Sequence, residues 1–216
     1  MLNSLIEHIL GLLFPDRCGG CARLGSLLCA QCRNSFQSYP ASPFDRMPAS
    51  LTSVTILYLF NGPLRQVVHR YKYHSVRRLA QPLGGLMAEQ WQQRMCPVDA
   101  LIAVPLHHTR LAERGFNQAE ELARVIAGKL RIPLLEGGLV RIRATAQQAR
   151  LDAKERARNM QGAFVWQSST PPAHVLLIDD ILTTGATMGA CADVLRAAGA
   201  QQVSGLVLAR TRPDSR

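Results

Sequence analysis

One stretch constrains this chain more than any other: Val175-Leu176-Leu177-Ile178-Asp179-Asp180-Ile181-Leu182-Thr183-Thr184-Gly185-Ala186-Thr187. Four apolar residues in a row read as a strand in the middle of a sheet, buried on both faces. Two carboxylates follow where that strand is expected to end, and then a loop of hydroxyls with one glycine. Met188, Cys191, Ala192, Leu195 and Ala198 recur at helical spacing up to a stop signal at Gly199, and 203–209 reads as another strand. The unit is strand, loop, helix, strand.

Its chemistry is legible. Gly185 lets the backbone approach an anion closely. The hydroxyls of Thr183, Thr184 and Thr187, with the free N–H groups of the helix N-terminus, can donate to phosphate oxygens. Asp179 and Asp180 stand just before the loop, placed for whatever is joined to that phosphate. Adjacent carboxylates there suit the vicinal hydroxyls of a ribose and are compatible with Mg²⁺ nearby. The loop holds no Gly-Lys-Ser/Thr, so it is not a Walker A, and no Gly-x-Gly-x-x-Gly, so it is not a dinucleotide fingerprint. A Thr-rich turn with a solvated Asp pair is the plainer alternative, but apolar run, acidic pair and hydroxyl–glycine loop arrive together and in order. The stretch resembles the phosphoribosyl pyrophosphate (PRPP) motif of type I phosphoribosyltransferases. The resemblance implies that the acidic pair holds ribose hydroxyls and that Thr183, Thr184, Gly185, Ala186 and Thr187 hold the 5-phosphate.

A length of 216 residues allows one α/β domain and a small appendage. The net charge of +10 predicts an anionic partner: nucleic acid, a pyrophosphate compound or an acidic protein. Residues 1–50 contribute little to it, with Arg17, Arg23, Arg33 and Arg46 against Glu7, Asp16 and Asp45. The excess clusters in 65–78 and 141–158, although any single Arg there is better read as an ordinary solvated surface residue. Leu2, Leu5, Ile6, Ile9, Leu12 and Leu13 are spaced as an amphipathic helix that packs on its own protein. No basic n-region or cleavage site marks a signal peptide, and no run reaches the length of a membrane span. A cytoplasmic protein without stable membrane insertion is expected.

Cys18-Gly-Gly-Cys21 and Cys29-Ala-Gln-Cys32 form two C-x-x-C pairs. Two such turns complete a tetrahedral Zn²⁺ site on Cys18, Cys21, Cys29 and Cys32, with no open position for catalysis. Disulfides or a redox pair are the alternatives; a cytosolic chain argues against the former, and the missing βαβ pattern against the latter. The organisation expected is a helix and zinc module over 1–40, a Pro/Ser/Ala-rich linker over 41–50 and a main domain over 51–216.

Within that domain 54–60 is β-rich, and Pro63 opens a helix with an apolar stripe of Leu64, Val67, Val68 and Tyr71. A second helix spans about 77–95. The apolar strand 99–104 leads into a loop of Pro105, Leu106, His107, His108, Thr109 and Arg110, where open α/β sheets bind ligands. Two adjacent histidines rarely chelate one ion, so metal binding there is the lesser reading. Asn117 and Glu120 resemble a capping box for a helix to about 130. Short strands are expected at 132–135, 140–142 and 164–166. Residues 143–160 are polar, basic and long, as active-site lids often are, with a mobile surface loop of no role as the plainer alternative.

The order of motifs is similar to the ComF family of competence and DNA-utilisation proteins. It runs from Leu-Leu-Phe-Pro before four cysteines through Pro63-Leu64-Arg65, Lys72-Tyr73, Val104-Pro105-Leu106 and Arg114-Gly115-Phe116-Asn117-Gln118 to Arg156 with Asn159 and the PRPP-like motif. The resemblance covers nearly the whole chain. It implies a type I phosphoribosyltransferase-like parallel sheet flanked by helices, with the four-Cys zinc module before it. It further implies Asp179 and Asp180 as catalytic residues. Pro105, Leu106, His107, His108, Arg110, Lys72 and Arg156 join the phosphate loop in binding substrate, with Mg²⁺ helping to stabilise leaving pyrophosphate. In many phosphoribosyltransferases a hood recognises the acceptor base. Here the sequence stops soon after strand 203–209, so acceptor recognition is expected from the N-terminal third or from 143–160. The other reading keeps the fold as a scaffold or sensor that binds single-stranded DNA on its basic faces, beside a competence helicase or translocase. Aromatic residues, 6% of the chain, offer little for base stacking.

Overall fold

A computed structural model describes residues 15–40, 47–73, 76–94, 96–144 and 158–211. The expected helix over 2–13, Arg156 and most of the expected lid lie outside the described residues. The strands are β1 (Ser53–Leu59), β2 (Ala100–Ala103), β3 (Leu139–Arg141), β4 (Phe164–Trp166), β5 (His174–Leu182) and β6 (Gln202–Arg210). The helices are α1 (Ala30–Asn34), α2 (Gly62–Tyr73), α3 (Ala80–Gln92), α4 (His108–Arg114), α5 (Gln118–Leu130) and α6 (Ala186–Ala197). The main sheet is parallel, in the order β1-β6-β5-β2, while β3 and β4 pair as a separate antiparallel ribbon.

Burial explains the apolar run that opens the central motif. Val175, Leu176, Leu177 and Ile178 are all at most 1% exposed. Leu176 and Ile178 face a core shared with α2, α3 and α5, whereas Val175 and Leu177 face one shared with α6 and the β3–β4 ribbon. Both faces of the sheet are therefore covered, the setting in which a strand loses its polar alternation. Each such side chain contributes about 1.5–3 kcal/mol relative to exposure.

Two local expectations are corrected. The strand does not end at the carboxylates: β5 continues through Asp179 and Asp180, with Asp179 opposite Val207 and Leu182 opposite Arg210. What ends is its other neighbour. Pairing with β2 stops at Ala103–Ile178, where Val104 N–H bonds the Ile178 carbonyl at 2.9 Å and Pro105 follows without a donor. The acidic residues thus lie on a strand that outlasts one of its partners. The loop at 105–110 is also shorter than expected, because α4 begins at His108, capped by the His107 side chain.

The segment read as a linker packs closely where it is described. Ser50 Oγ donates to the Gly189 carbonyl at 3.2 Å, Arg196 bonds the Ser50 carbonyl, and Pro48 lies against Gly185 and Gly189. A Cβ at Gly189 would stand 2.7 Å from Pro48, so glycine is required there by contact. Nothing in the Pro/Ser/Ala composition signals this.

The four cysteines converge. Their sulfur atoms all lie within 4.8 Å of one another, and the cluster can hold a metal ion. Among the described residues it is the one group of three or more ligating side chains. Burial works to raise the Cys18 thiol, but backbone donors from Cys29, Cys21 and Gly20 outweigh it and bring it down to about 6. Burial and the neighbouring thiols push Cys32 up to about 12.

Candidate functional site

Strand geometry divides the acidic pair. Successive side chains on a strand point to opposite faces. Asp180 falls on the face of Leu176 and Ile178, toward α2, where Lys72 Nζ stands 2.7 Å from its Oδ2. Both side chains are largely buried, at 17% and 9% exposure. Asp179 falls on the other face, half-buried, with Arg141 and Cys191 among its electrostatic neighbours. Burial pushes its carboxyl up to about 8, the negative charge of Asp180 adds to this, and Lys72 opposes it. Asp179 Oδ1 accepts the Asp180 backbone N–H at 2.8 Å. One carboxylate is paired with a cation; burial, and then the charge of Asp180, hold the carboxyl of the other well above the ordinary carboxylate range.

The last turn of α2 carries Lys72, and its neighbours fix it. Tyr71 is fully buried, and its hydroxyl donates to the Gln118 carbonyl at 2.8 Å. The same residue's ring packs on Phe116 at 5.5 Å. The run 114–118 now has a structural meaning. Gly115 ends α4 at φ +73°, a conformation that favours glycine. Asn117 caps α5 by accepting from Ala119 N–H, and its amide donates to the Val104 carbonyl at 3.1 Å. The capping box is half realised, since Glu120 pairs with Arg124. Gln118 is buried, and its side chain accepts from Arg114 at 2.9 Å. This turn ties the end of β2 to the helix that aims Lys72.

The phosphate-type loop lies on the opposite side. Gly185 takes φ +82° and opens α6 without a side-chain cap. Thr184 Oγ1 accepts from Ala186 N–H at a long 3.4 Å, and Thr187 Oγ1 donates to Met160 Sδ at 3.8 Å. Thr183 is exposed. These weak internal bonds leave the hydroxyls available, and the first N–H groups of α6 face outward from a helix start.

The remaining predicted residues separate. His107 is buried as the cap of α4, its Nδ1 2.9 Å from Thr109 Oγ1. Burial lowers its pKa, with His108 and Arg141 adding to the effect. The His107 and His108 rings lie 4.0 Å apart. Pro105 and Leu106 line a side cavity of about 310 Å³ with Leu111, Leu135 and Arg141. Arg110 is close enough to Arg141 to depress that guanidinium's pKa, after the larger effect of burial.

Arg141 is the residue that sequence reasoning passed over as an individual. It sits on β3, its guanidinium 5.5 Å from the Phe164 ring, within electrostatic reach of Asp179, Arg110 and His107. The signal was present: an arginine inside the apolar run Leu139-Val140-Arg141-Ile142 must half-bury its charge.

A model of the phosphoribosyl transferase domain matches residues 111–216. The chain is 30% identical over 202 residues to Competence protein F of Haemophilus influenzae, covering 89% of this chain and 84% of that protein. It is likewise 30% identical to DNA utilization protein YhgH of Salmonella typhimurium, covering 90% and 88%. Among solved structures, adenine phosphoribosyl transferase from Trypanosoma brucei, in complex with AMP, pyrophosphate, and ribose-5-phosphate, aligns with a TM-score of 0.40 at 13% identity. That alignment covers 66% of this chain and 68% of the other.

Proposed function

The chain belongs to the ComF family of competence and DNA-utilisation proteins, and on that premise we propose that it binds PRPP or a related ribose-5-phosphate compound in the service of DNA use. The observation that carries the proposal is the open end of β5. There a proton-retaining Asp179 stands beside a weakly satisfied loop, Thr183 to Thr187, at the uncapped start of α6. In this reading the loop donates to the 5-phosphate, and Asp179 accepts from a ribose hydroxyl. Asp180, held by Lys72, fixes the strand end and supplies a second acceptor. Arg110 and Arg141 face the negative charge that a departing pyrophosphate would develop, which is where preorganised cations act in group transfer. The reaction class is phosphoribosyl transfer. Once its proton is displaced, the Asp179 carboxylate would offer oxygen donors of the kind Mg²⁺ prefers, and the ion when bound would neutralise phosphate charge.

We assign Zn²⁺ to Cys18, Cys21, Cys29 and Cys32, since four convergent thiolates match its preferred donors and leave no catalytic position. A cytoplasmic setting accords with those thiols and with the role. Among the described residues no helix is long and apolar enough to cross a membrane. The charge of +10 and a surface groove lined by Arg65, His69 and Arg70 support single-stranded DNA as a second ligand, handed on by a helicase or translocase.

Calorimetric titration with Mg–PRPP tests the reading, repeated with a single-stranded oligonucleotide over a salt series. Saturable, 1:1 Mg–PRPP binding that Thr184→Ala weakens is expected, with oligonucleotide binding unaffected by that change and steeply salt-dependent. Oligonucleotide binding with no PRPP binding would put the scaffold reading in its place.

A further inference from the structure

Three consecutive residues at the end of α2 are each tied to a different part of the molecule. Arg70 Nη1 donates to the carbonyl of Cys18 at 2.7 Å. Tyr71 bonds the 114–118 turn, and Lys72 bonds Asp180. The Cys18 carbonyl belongs to the first C-x-x-C turn and also accepts from Ala22 N–H at 2.9 Å. The surroundings make this a seated contact. Gly19 lies against Leu79 and Val67, Gly20 lies between Cys32 and Pro63, and Asp16 pairs with Arg78 through both its oxygens, at 2.7 and 3.1 Å.

We propose that Arg70 is a positioning residue, one that holds the last turn of α2 to the four-Cys module and thereby sets Lys72 against Asp180. The geometry requires a short lever. Arg70 and Lys72 are two residues apart on one helix, so side chains on different faces are joined by a rigid backbone turn. The Cys18 carbonyl keeps its place only while the knuckle is folded, and the knuckle folds around its metal. Loss of the metal therefore frees Arg70, and the turn that aims Lys72 loses one of its three anchors. Affinity for a ribose-5-phosphate ligand at the acidic pair then depends on an intact module whose Cys18 lies 52 residues before Arg70 in the sequence. By linkage the ligand in turn tightens binding of the metal.

The proposal rests on the PRPP reading for its ligand, so the test has one arm that does not need it. In the first arm, Mg–PRPP affinity is measured for the zinc-loaded parent, Arg70→Ala, Arg70→Lys, Lys72→Met and the Arg70→Ala/Lys72→Met double variant. Arg70→Ala is expected to weaken binding about five- to tenfold, the low end of couplings between sites. Arg70→Lys, which can still donate to the carbonyl, should recover part of the loss. In the Lys72→Met background the Arg70 change should have no further effect, because its route is gone. At equilibrium with a chromogenic chelator, less zinc should be transferred when Mg–PRPP is present in the parent, and not in Arg70→Ala. Equal losses from Arg70→Ala with and without Lys72 would overturn the proposal. The second arm is amide hydrogen exchange on unliganded protein. Zinc removal and Arg70→Ala should each lower protection in the last turn of α2 and leave α5 unchanged. Unchanged protection of that turn would overturn the proposal even if the protein binds no PRPP, whereas lowered protection without PRPP binding would remove only the ligand reading.

Discussion

The two faces of β5 treat their carboxylates in opposite ways. On the α2 face everything is tied: Lys72 to Asp180, Tyr71 to the Gln118 carbonyl, Arg70 to Cys18. On the α6 face Asp179 is crowded but undercompensated, Gly185 opens the helix without a cap, and the loop hydroxyls make only long contacts. The first face has the character of a mount, and the second leaves its polar groups more weakly satisfied. Adjacent residues of one type, one peptide apart, thus take different roles because a strand alternates.

The comparison can be strained first at its mount. Cys21→Ser should unfold the four-Cys module, since structural zinc carries folding free energy of about 10 kcal/mol or more in isolated modules. The sheet should remain, with two buried faces of its own. Proteolysis and circular dichroism after zinc removal would show early cleavage within residues 15–40 and retained strand signal. Simultaneous loss of both would mean that the module is the core of the fold.

Next in size is Lys72→Met. It leaves the Asp180 carboxylate buried without its partner, a loss on the order of 3 kcal/mol, the low end for breaking such a pair because Lys72 keeps some contact with water. Urea unfolding near pH 7 reads it directly, and a change within a few tenths of a kcal/mol would remove Asp180 from the mount.

Asp179→Asn should go the other way. Its carboxyl titrates near 8 in the folded chain against an ordinary 3.8, so the folded state binds the extra proton between those values. Stability from this group is therefore full below about pH 4 and falls as pH rises toward 8. The asparagine variant should lack that decline. At pH 8 it should be the more stable protein, since the parent must then carry a charge that burial disfavours and the amide does not. Parallel pH–stability curves for parent and variant would contradict this. Smallest in folding terms, Thr184→Ala should leave stability within about 0.5 kcal/mol and cost Mg–PRPP binding roughly tenfold, the low end for a bond to a charged group.

Much of this was legible in the sequence because the signals were local. The strand before the carboxylates, the helix after Gly185 and the four converging cysteines all follow from periodicity, caps and spacing. The continuation of β5 through Asp179 was not, because carboxylates in a strand are ordinarily an end signal, and here β6 carries the pairing on alone. The start of α4 at His108 was hidden since histidine is not an expected cap. The split of the acidic pair needed the strand to be recognised first, and the Lys72–Asp180 contact joins residues more than a hundred positions apart. Arg141 was visible only as one member of a basic cluster, until the fold set it beside Asp179 and Arg110.

We propose that Asp179, and not Asp180, engages the ligand as a carboxylate; proton release on binding tests this role. At pH 7 a carboxyl that titrates near 8 is mostly protonated, and a Mg–PRPP complex that engages it as carboxylate must displace that proton. Calorimetric titrations of Mg–PRPP in buffers of different ionisation heat should therefore give release approaching one proton per site in the parent and none from this source in Asp179→Asn. Heats independent of buffer in the parent, or the same release from the variant, would contradict the claim.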